Sequence, residues 1–219
     1  MIEHKMEMNQ EHKNINMQLQ DAEKIYLQMK TRRSVRHFSN ENIPVELIQW
    51  CIRTASTAPS GANSQPWFFS VVQSQKVKKL IRLAAEQEEK KFYEVTATDE
   101  VLCDLKPFGT NWQKPHLEDA SALIIIFAKN YEYVGNQKKK CYYPKESVGI
   151  ATGFLITALH QLGLSTLTHT PQPMSFLNDI LQRPKNEKAF LILAVGKPHP
   201  NYSPPELVRK DLKDICEVI

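Results

Sequence analysis

RRSVR at residues 32–36 and TAPSGANSQPW at residues 57–67 are the segments that decide the fold. Three arginines within five residues can place several guanidinium groups on one dianionic phosphate, where each charge-assisted hydrogen bond contributes about 1.5–3 kcal/mol. The small residues of the second segment let the main chain approach a ligand, with backbone amides as donors. An arginine-rich pentamer alone is more typical of a solvated face or a nucleic-acid patch, but paired with this turn it predicts a site for a phosphorylated, flat cofactor.

Both segments, through Pro66 and Trp67, resemble the flavin-dependent nitroreductase superfamily, and most of all its iodotyrosine deiodinase branch. The resemblance extends from about Thr31 to the C-terminus. It implies an α+β fold, with a mixed β-sheet wrapped by helices, and an obligate homodimer. It also implies that the flavin lies at the dimer interface and that an exchanged C-terminal arm, residues 197–219, embraces the partner.

Composition fits one globular domain or a protomer that completes its core by dimerising, since 42% of the 219 residues are hydrophobic. The net charge of +4, from 28 basic and 24 acidic residues, does not indicate a nucleic-acid partner. The four cysteines are scattered, which predicts no disulfide framework and no metal site and favours a reducing cytoplasm. Residues 1–20 form a polar tail with no apolar signal or anchor segment, so we expect a soluble cytoplasmic protein without a membrane partner.

Hydrophobic periodicity predicts alternating helices and strands within a single domain, residues 21–219, after the polar tail. Residues 86–119 are charged, lack a sustained apolar period and contain Pro107, Gly109 and Pro115, which predicts a long mobile connection acting as a lid. The predicted helices are an amphipathic helix at 22–29, a helix from Pro44 to Ala55, one from Val77, a long one from Val148 to Gly163 and one at 175–182. The predicted strands are 67–73, 122–128, 164–168 and 189–195.

The cofactor that the resemblance implies is flavin mononucleotide (FMN). Its phosphate would lie on Arg32, Arg33 and Arg36, with Arg209 closing the cluster, although Arg209 taken alone reads as a solvent-facing charge. The resemblance also assigns cofactor contacts to Ser34, Val35, Pro59, Ser60, Thr168 and His169.

Thr170 is the candidate catalytic residue, because the resemblance places its hydroxyl near flavin N5, the redox-active nitrogen. His169 departs from the family, which commonly carries Thr at this position, and its side chain has no assigned role. No Gly-x-Gly-x-x-Gly fingerprint identifies a nicotinamide donor, so NAD(P)H is only a possible source of electrons.

Glu89, Tyr93 and Lys114 are the candidate substrate residues. A carboxylate can take the ammonium group of an amino acid, while Lys114 and the Tyr93 hydroxyl can take its carboxylate. The resemblance adds the backbone amide of Ala62 as donor to the phenolate oxygen. The charged run at 86–91 is also typical of a solvated helix face, so by composition alone Glu89 would be surface.

The sequence thus predicts an FMN-dependent oxidoreductase that dehalogenates halotyrosines reductively, converting iodotyrosine to tyrosine and iodide with electrons passed one at a time. A broad NAD(P)H-dependent nitroreductase is the first alternative. A flavin-dependent sensor or carrier of modified tyrosines is the second. Nucleic-acid binding through the lysine triplet at 138–140, which predicts a solvated loop, is the weakest.

Overall fold

A computed structural model describes residues 14–219, and the chain divides into two units at Arg32 and Arg33. The described part of the first unit contains helix α1 (Ile15–Lys30), which begins earlier than predicted, inside the range assigned to the tail. The Asn14 side chain caps it by accepting from the Met17 N–H at 3.0 Å. The rest of the predicted tail, residues 1–13, lies outside the described residues.

The second unit is built on a four-stranded sheet with the strand order β1-β2-β6-β5, flanked by helices and a two-stranded hairpin, β3-β4. The strands are β1 (Trp67–Val72), β2 (Ala122–Lys129), β3 (Tyr131–Val134), β4 (Gln137–Lys140), β5 (Ser165–His169) and β6 (Glu187–Gly196). The helices are α2 (Val45–Ala55), α3 (Gln75–Lys91), α4 (Asp99–Leu105), α5 (His116–Asp119), α6 (Pro144–Gln161) and α7 (Phe176–Ile180).

Strand β2 is the centre of two hydrophobic cores, one on each face of the sheet. Its side chains alternate with the two-residue period of a strand, so Ile124 and Ile126 join the core formed with α2 and α6. Ile125 and Phe127 join the opposite core, formed with α3, α5 and α7. The sheet is therefore covered on both faces, which explains the uninterrupted apolar run of β2.

The expected mixed sheet is almost wholly antiparallel. Each neighbouring pair of the four strands is antiparallel, and parallel pairing is seen in an isolated bridge between Ser34 and Thr166. The expectation of an α+β fold with a helix-covered sheet is confirmed. The parallel pairing expected of a mixed sheet is limited to this bridge among the described residues.

Two segments have more regular structure than predicted. The connection at 86–119 is largely helical: α3 continues to Lys91, a π-helical turn follows at Phe92–Thr96, and α4 and α5 complete it. The lysine triplet at 138–140 lies on β4 and pairs with β3, so its assignment to a loop was wrong. Among the described residues, no helix has the length and apolar character needed to cross a membrane.

The C-terminal arm, residues 197–219, runs over the surface with one short 3₁₀ turn at Leu212–Asp214. It carries a series of large apolar side chains that are exposed: Leu207, Val208, Leu212, Ile215, Val218 and Ile219. An exposed apolar series of this kind is typical of a surface that another chain covers.

Candidate active site

Main-chain pairing places the arginine segment beside β5, near the start of that strand. The Val35 N–H donates to the Thr166 carbonyl at 3.1 Å, and Ser34 forms the parallel bridge to the same residue. Val35 itself is buried in the core. The arginine segment, residues 33–36, is thereby attached to the strand whose end carries the predicted cofactor residues 168–170.

A small cavity of about 70 Å³ opens next to the arginine segment and is lined by Arg33, Ser34, Arg36, Phe108, Pro205 and Leu207. An Arg33 Nη2–H donates to the Pro205 carbonyl, which ties the segment to the start of the C-terminal arm. The Arg33 Nε is buried with no hydrogen-bond partner among the described residues. A guanidinium with a buried, unused donor, beside a second arginine, suits an anion such as phosphate.

A larger cavity of about 420 Å³ lies beside it, and Arg36 lines both. One wall is apolar and comes from the helical connection, through Phe92, Val101 and Leu105. The lining also brings together the end of β5 and the predicted substrate residues: Thr168, His169, Thr170, Glu89, Tyr93 and Lys114.

Glu89 and Lys114 form an ion pair inside this cavity. The Lys114 Nζ lies 3.1 Å from the Glu89 Oε2, with side-chain exposures of 5% and 13%. Glu89 is therefore not part of a solvated helix face, unlike its neighbour Lys91 in the same charged run. The Lys114 Nζ also lies 5.2 Å from the centroid of the Tyr93 ring, within cation–π range.

Burial lowers the pKa of Lys114, and the Glu89 carboxylate opposes that shift most strongly, by both charge and hydrogen bonding. The ammonium group also donates to the Thr110 hydroxyl at 3.3 Å and to the Asn111 carbonyl. The pair thus keeps two opposite charges in a largely desolvated place, which is the chemistry needed to bind a zwitterion.

Three further contacts, which sequence reasoning missed, hold α3 against α5 and so place Glu89 opposite Lys114. The Glu86 Oε1 accepts from the Lys114 backbone N–H at 2.8 Å. The buried Lys78 donates to the carbonyls of Glu118 and Ala120 where α5 ends. An ion pair of 2.9 Å joins Arg82 to Glu118. Their spacing of four residues along α3 was a signal that could have indicated one continuous helix face.

The end of β5 directs alternate side chains to opposite sides. Thr168 and Thr170 are exposed, whereas His169 is buried and packs edge-on against His116, with the ring centroids 5.6 Å apart. Burial is the main reason that the pKa of each histidine is lowered to about 3, so both are neutral at physiological pH. The part of the chain that the structure describes contains no group of three His, Cys, Asp or Glu able to hold a metal ion.

The turn at 59–62 does not line this cavity, so the structure does not bring Pro59, Ser60 and Ala62 together with the other predicted site residues. Ala62 is exposed, with φ of 50° and ψ of 32°, a left-handed conformation that is strained for a residue with a side chain. Gly61 packs so tightly that an added Cβ would lie 3.0 Å from the Tyr142 carbonyl oxygen.

The structure does not test two arginines of the predicted cluster. Arg32 is the last residue of the first unit, two residues after α1 ends, and its backbone N–H donates to the Met29 carbonyl at 3.1 Å. Arg209 is exposed on the arm and is not among the residues that line the small cavity.

A sheet covered by helices, with an arginine segment at one edge and a cavity at the strand end, defines the class of protein, and the sequence model of the nitroreductase family matches residues 29–197. The chain therefore belongs to the nitroreductase family.

Within that family its relatives are iodotyrosine deiodinases, which confirms the branch that the sequence resembles. The iodotyrosine deiodinase of Haliscomenobacter hydrossis is 52% identical over 195 residues, covering 88% of this chain and 87% of the relative. Human iodotyrosine deiodinase 1 is 42% identical over 200 residues, covering 90% of this chain and 69% of the relative.

A solved structure agrees with this fold over most of the chain. The crystal structure of oxidized iodotyrosine deiodinase bound to FMN and 3-iodo-L-tyrosine superposes with a TM-score of 0.72 at 32% identity, covering 85% of this chain and 97% of that one.

Proposed function

We propose that this protein is an FMN-dependent enzyme that removes iodide from iodotyrosine reductively. The observation that carries the proposal is the buried Glu89–Lys114 pair, which shares one cavity with Thr170 at the end of β5. One cavity thus contains both the charged groups that can bind an amino acid and a strand end suited to a flavin.

Glu89 and Lys114 supply the two charges that an amino acid zwitterion requires. Glu89 takes the ammonium group, and Lys114 takes the carboxylate with help from the Tyr93 hydroxyl. Each partner of the existing ion pair exchanges one charged neighbour for another, so no buried charge is left uncompensated. The apolar wall formed by Phe92, Val101 and Leu105 suits an iodinated ring.

FMN fits the adjoining residues. Arg33 and Arg36 hold its phosphate, a role supported by the unused donor of Arg33, and Thr168 and Thr170 contact its ring at the end of β5. Bound in its reduced form, FMN supplies two electrons, which with a proton convert the carbon–iodine bond to a carbon–hydrogen bond and release iodide. The protein orients the ring of the substrate over this site, and the helical connection, which supplies the apolar wall of the cavity, excludes water.

A homodimer completes the site in this proposal. The turn that carries Ser60 and Ala62 lies outside the cavity of its own chain, and the arm exposes a series of apolar side chains. A second copy supplies the turn, with the Ala62 amide donating to the phenolate oxygen, and its arm covers the first copy.

Complementation between two inactive variants tests this arrangement. Lys114→Met damages the cavity, and Gly61→Val damages the turn. If the turn acts on the partner's cavity, a mixed dimer contains one undamaged site and regains up to half of the activity per dimer. If both elements act within one chain, the mixed dimer stays inactive.

A substrate panel tests the function itself. The purified protein, reduced with dithionite, is given iodotyrosine, iodophenol or a nitroaromatic, and the products are measured. We expect iodide and tyrosine from iodotyrosine at a rate far above that for iodophenol, since iodophenol lacks the zwitterion. Rapid nitroreduction without iodide release would instead indicate a broad nitroreductase, and tight binding of iodotyrosine without turnover would indicate a sensor or carrier.

A further inference from the structure

His169 sits at the junction between the cofactor strand and the substrate residues. It is the last residue of β5, between two threonines whose side chains face the other way. Its side chain is 9% exposed and lines the large cavity. Its Nε2 lies 3.7 Å from the Glu89 Oε1.

The Nε2 of His169 is buried and finds no hydrogen-bond partner among residues 14–219. At 3.7 Å the Glu89 oxygen is just outside hydrogen-bonding range, and a shift of about 0.7 Å would bring it to the usual 3.0 Å. A buried polar atom without a partner is costly, and a hydrogen bond to the Glu89 Oε1 would remove that cost.

The two oxygens of Glu89 therefore face different neighbours. The Oε2 pairs with Lys114, while the Oε1 faces His169. Burial, and next the charge of Lys114, lower the pKa of His169 to about 3, so the imidazole is neutral at pH 7. A neutral donor orients the carboxylate without competing for the positive charge that the carboxylate is to bind.

We propose that His169 is a positioning residue that orients the Glu89 carboxylate toward the ammonium group of an amino acid substrate. The inference rests on the proposed function and deepens it, because it assigns a specificity role to a side chain that lines the same cavity as Glu89. His169 acts through Glu89 and not on the reacting atoms.

The test compares two ligands that differ only in the ammonium group, 3-iodotyrosine and 3-(4-hydroxy-3-iodophenyl)propionate, with dithionite-reduced enzyme. We expect His169→Leu to lower the preference for iodotyrosine, the ratio of the two kcat/KM values, by at least about tenfold, the lower end of what one hydrogen bond to a charged group contributes. The loss falls mainly on KM. His169→Gln, which keeps a distal N–H, restores most of the preference.

His169→Thr provides a second variant, since the Thr side chain is too short to reach the Glu89 Oε1. His199→Thr is the matched control, because His199 is exposed and outside the lining of the large cavity. The control is expected to keep the preference within about twofold, a change of 0.4 kcal/mol or so.

Coupling to Glu89 separates a positioning role from a structural one. In a Glu89→Gln background, His169→Thr should change the preference no further. Equal weakening of both ligands by His169→Leu and His169→Thr, or an unchanged effect in the Glu89→Gln background, overturns the inference. If wild type dehalogenates iodotyrosine and the variants keep its KM, only the role of His169 fails; if wild type dehalogenates neither ligand, the proposed function fails and the inference with it.

Discussion

Replacing Glu89 with Gln removes the negative charge that compensates a buried ammonium group. At the observed 3.1 Å, the attraction between the two charges is about 5 kcal/mol for an effective dielectric constant near 20. Removing one partner of a buried pair costs roughly 3–5 kcal/mol, because the remaining charge is left without compensation. Lys114 keeps hydrogen bonds to Thr110 and Asn111, so the lower end, about 3 kcal/mol, is expected.

The assay is urea unfolding, with thermal unfolding beside it. For a chain of this size, about 3 kcal/mol corresponds to a fall in Tm of roughly 6–12 °C. Glu41→Gln is the matched control, since the Glu41–Lys197 pair is shorter, at 2.7 Å, but exposed, with 55% and 49% of the side chains accessible. Exposed pairs contribute about 0–1 kcal/mol, so the control should fall by no more than a few degrees.

A double variant checks the cause. If the loss in Glu89→Gln comes from the uncompensated ammonium group, adding Lys114→Met should recover most of it, because an apolar replacement leaves no buried charge. Equal small losses in Glu89→Gln and Glu41→Gln, or no recovery in the double variant, would refute the reasoning.

Three other predictions concern the turn, the histidine pair and Thr170. Gly61→Ala should lower the free energy of unfolding in urea by about 1–3 kcal/mol, since the added Cβ would lie 3.0 Å from the Tyr142 carbonyl oxygen. An unchanged urea midpoint would show that the turn can shift to accommodate the methyl group. His116 and His169 should make the free energy of unfolding fall as the pH drops from about 6.5 toward 3, by up to about 1.4 kcal/mol per pH unit for each residue. In this range the imidazoles bind protons in the unfolded chain but stay neutral in the folded protein, where burial lowers their pKa. Urea titrations at pH 7.5 and 5 measure this slope, and replacing His169 with Thr should reduce it; a slope that is the same in both proteins would contradict the assignment. Thr170→Ala should slow dehalogenation about 2- to 12-fold more than nitroreduction, the range of one hydrogen bond, and equal loss of both would remove the role assigned to its hydroxyl.

The core of the fold was predictable because its signals are local. Strand β2 follows from the apolar run at 122–128, and α6 from the long apolar period that ends near Gly163, whose φ is 73°. Each signal is a property of a few consecutive side chains. The resemblance then supplied the arrangement of these elements, which no local pattern contains.

The connection at 86–119 was mispredicted because its helices are short, charged and interrupted. The π-helical turn at Phe92–Thr96 breaks the period on which helix prediction depends. Hairpin β3-β4 was missed because its lysines have no apolar alternation, and all four residues of β4 are exposed. Pairing between two exposed strands leaves little trace in the sequence.

The site also contains residues that could be predicted from the sequence and contacts that could not. Glu89 and Lys114 were predictable as a complementary pair of charges, given the resemblance. The contact of His169 with Glu89 and His116 was not, because it depends on how β5, α3 and α5 pack together. No sequence spacing encodes a contact between three elements that are far apart in the chain.

A single-turnover experiment without oxygen tests the central claim most directly. The protein is loaded with FMN, reduced with one equivalent of electron pairs and mixed with iodotyrosine, while flavin absorbance, iodide and tyrosine are followed together. The account predicts one iodide and one tyrosine per flavin, released as the yellow colour returns. A reduced flavin that persists with iodotyrosine, yet is oxidised at once by a nitroaromatic, would contradict it.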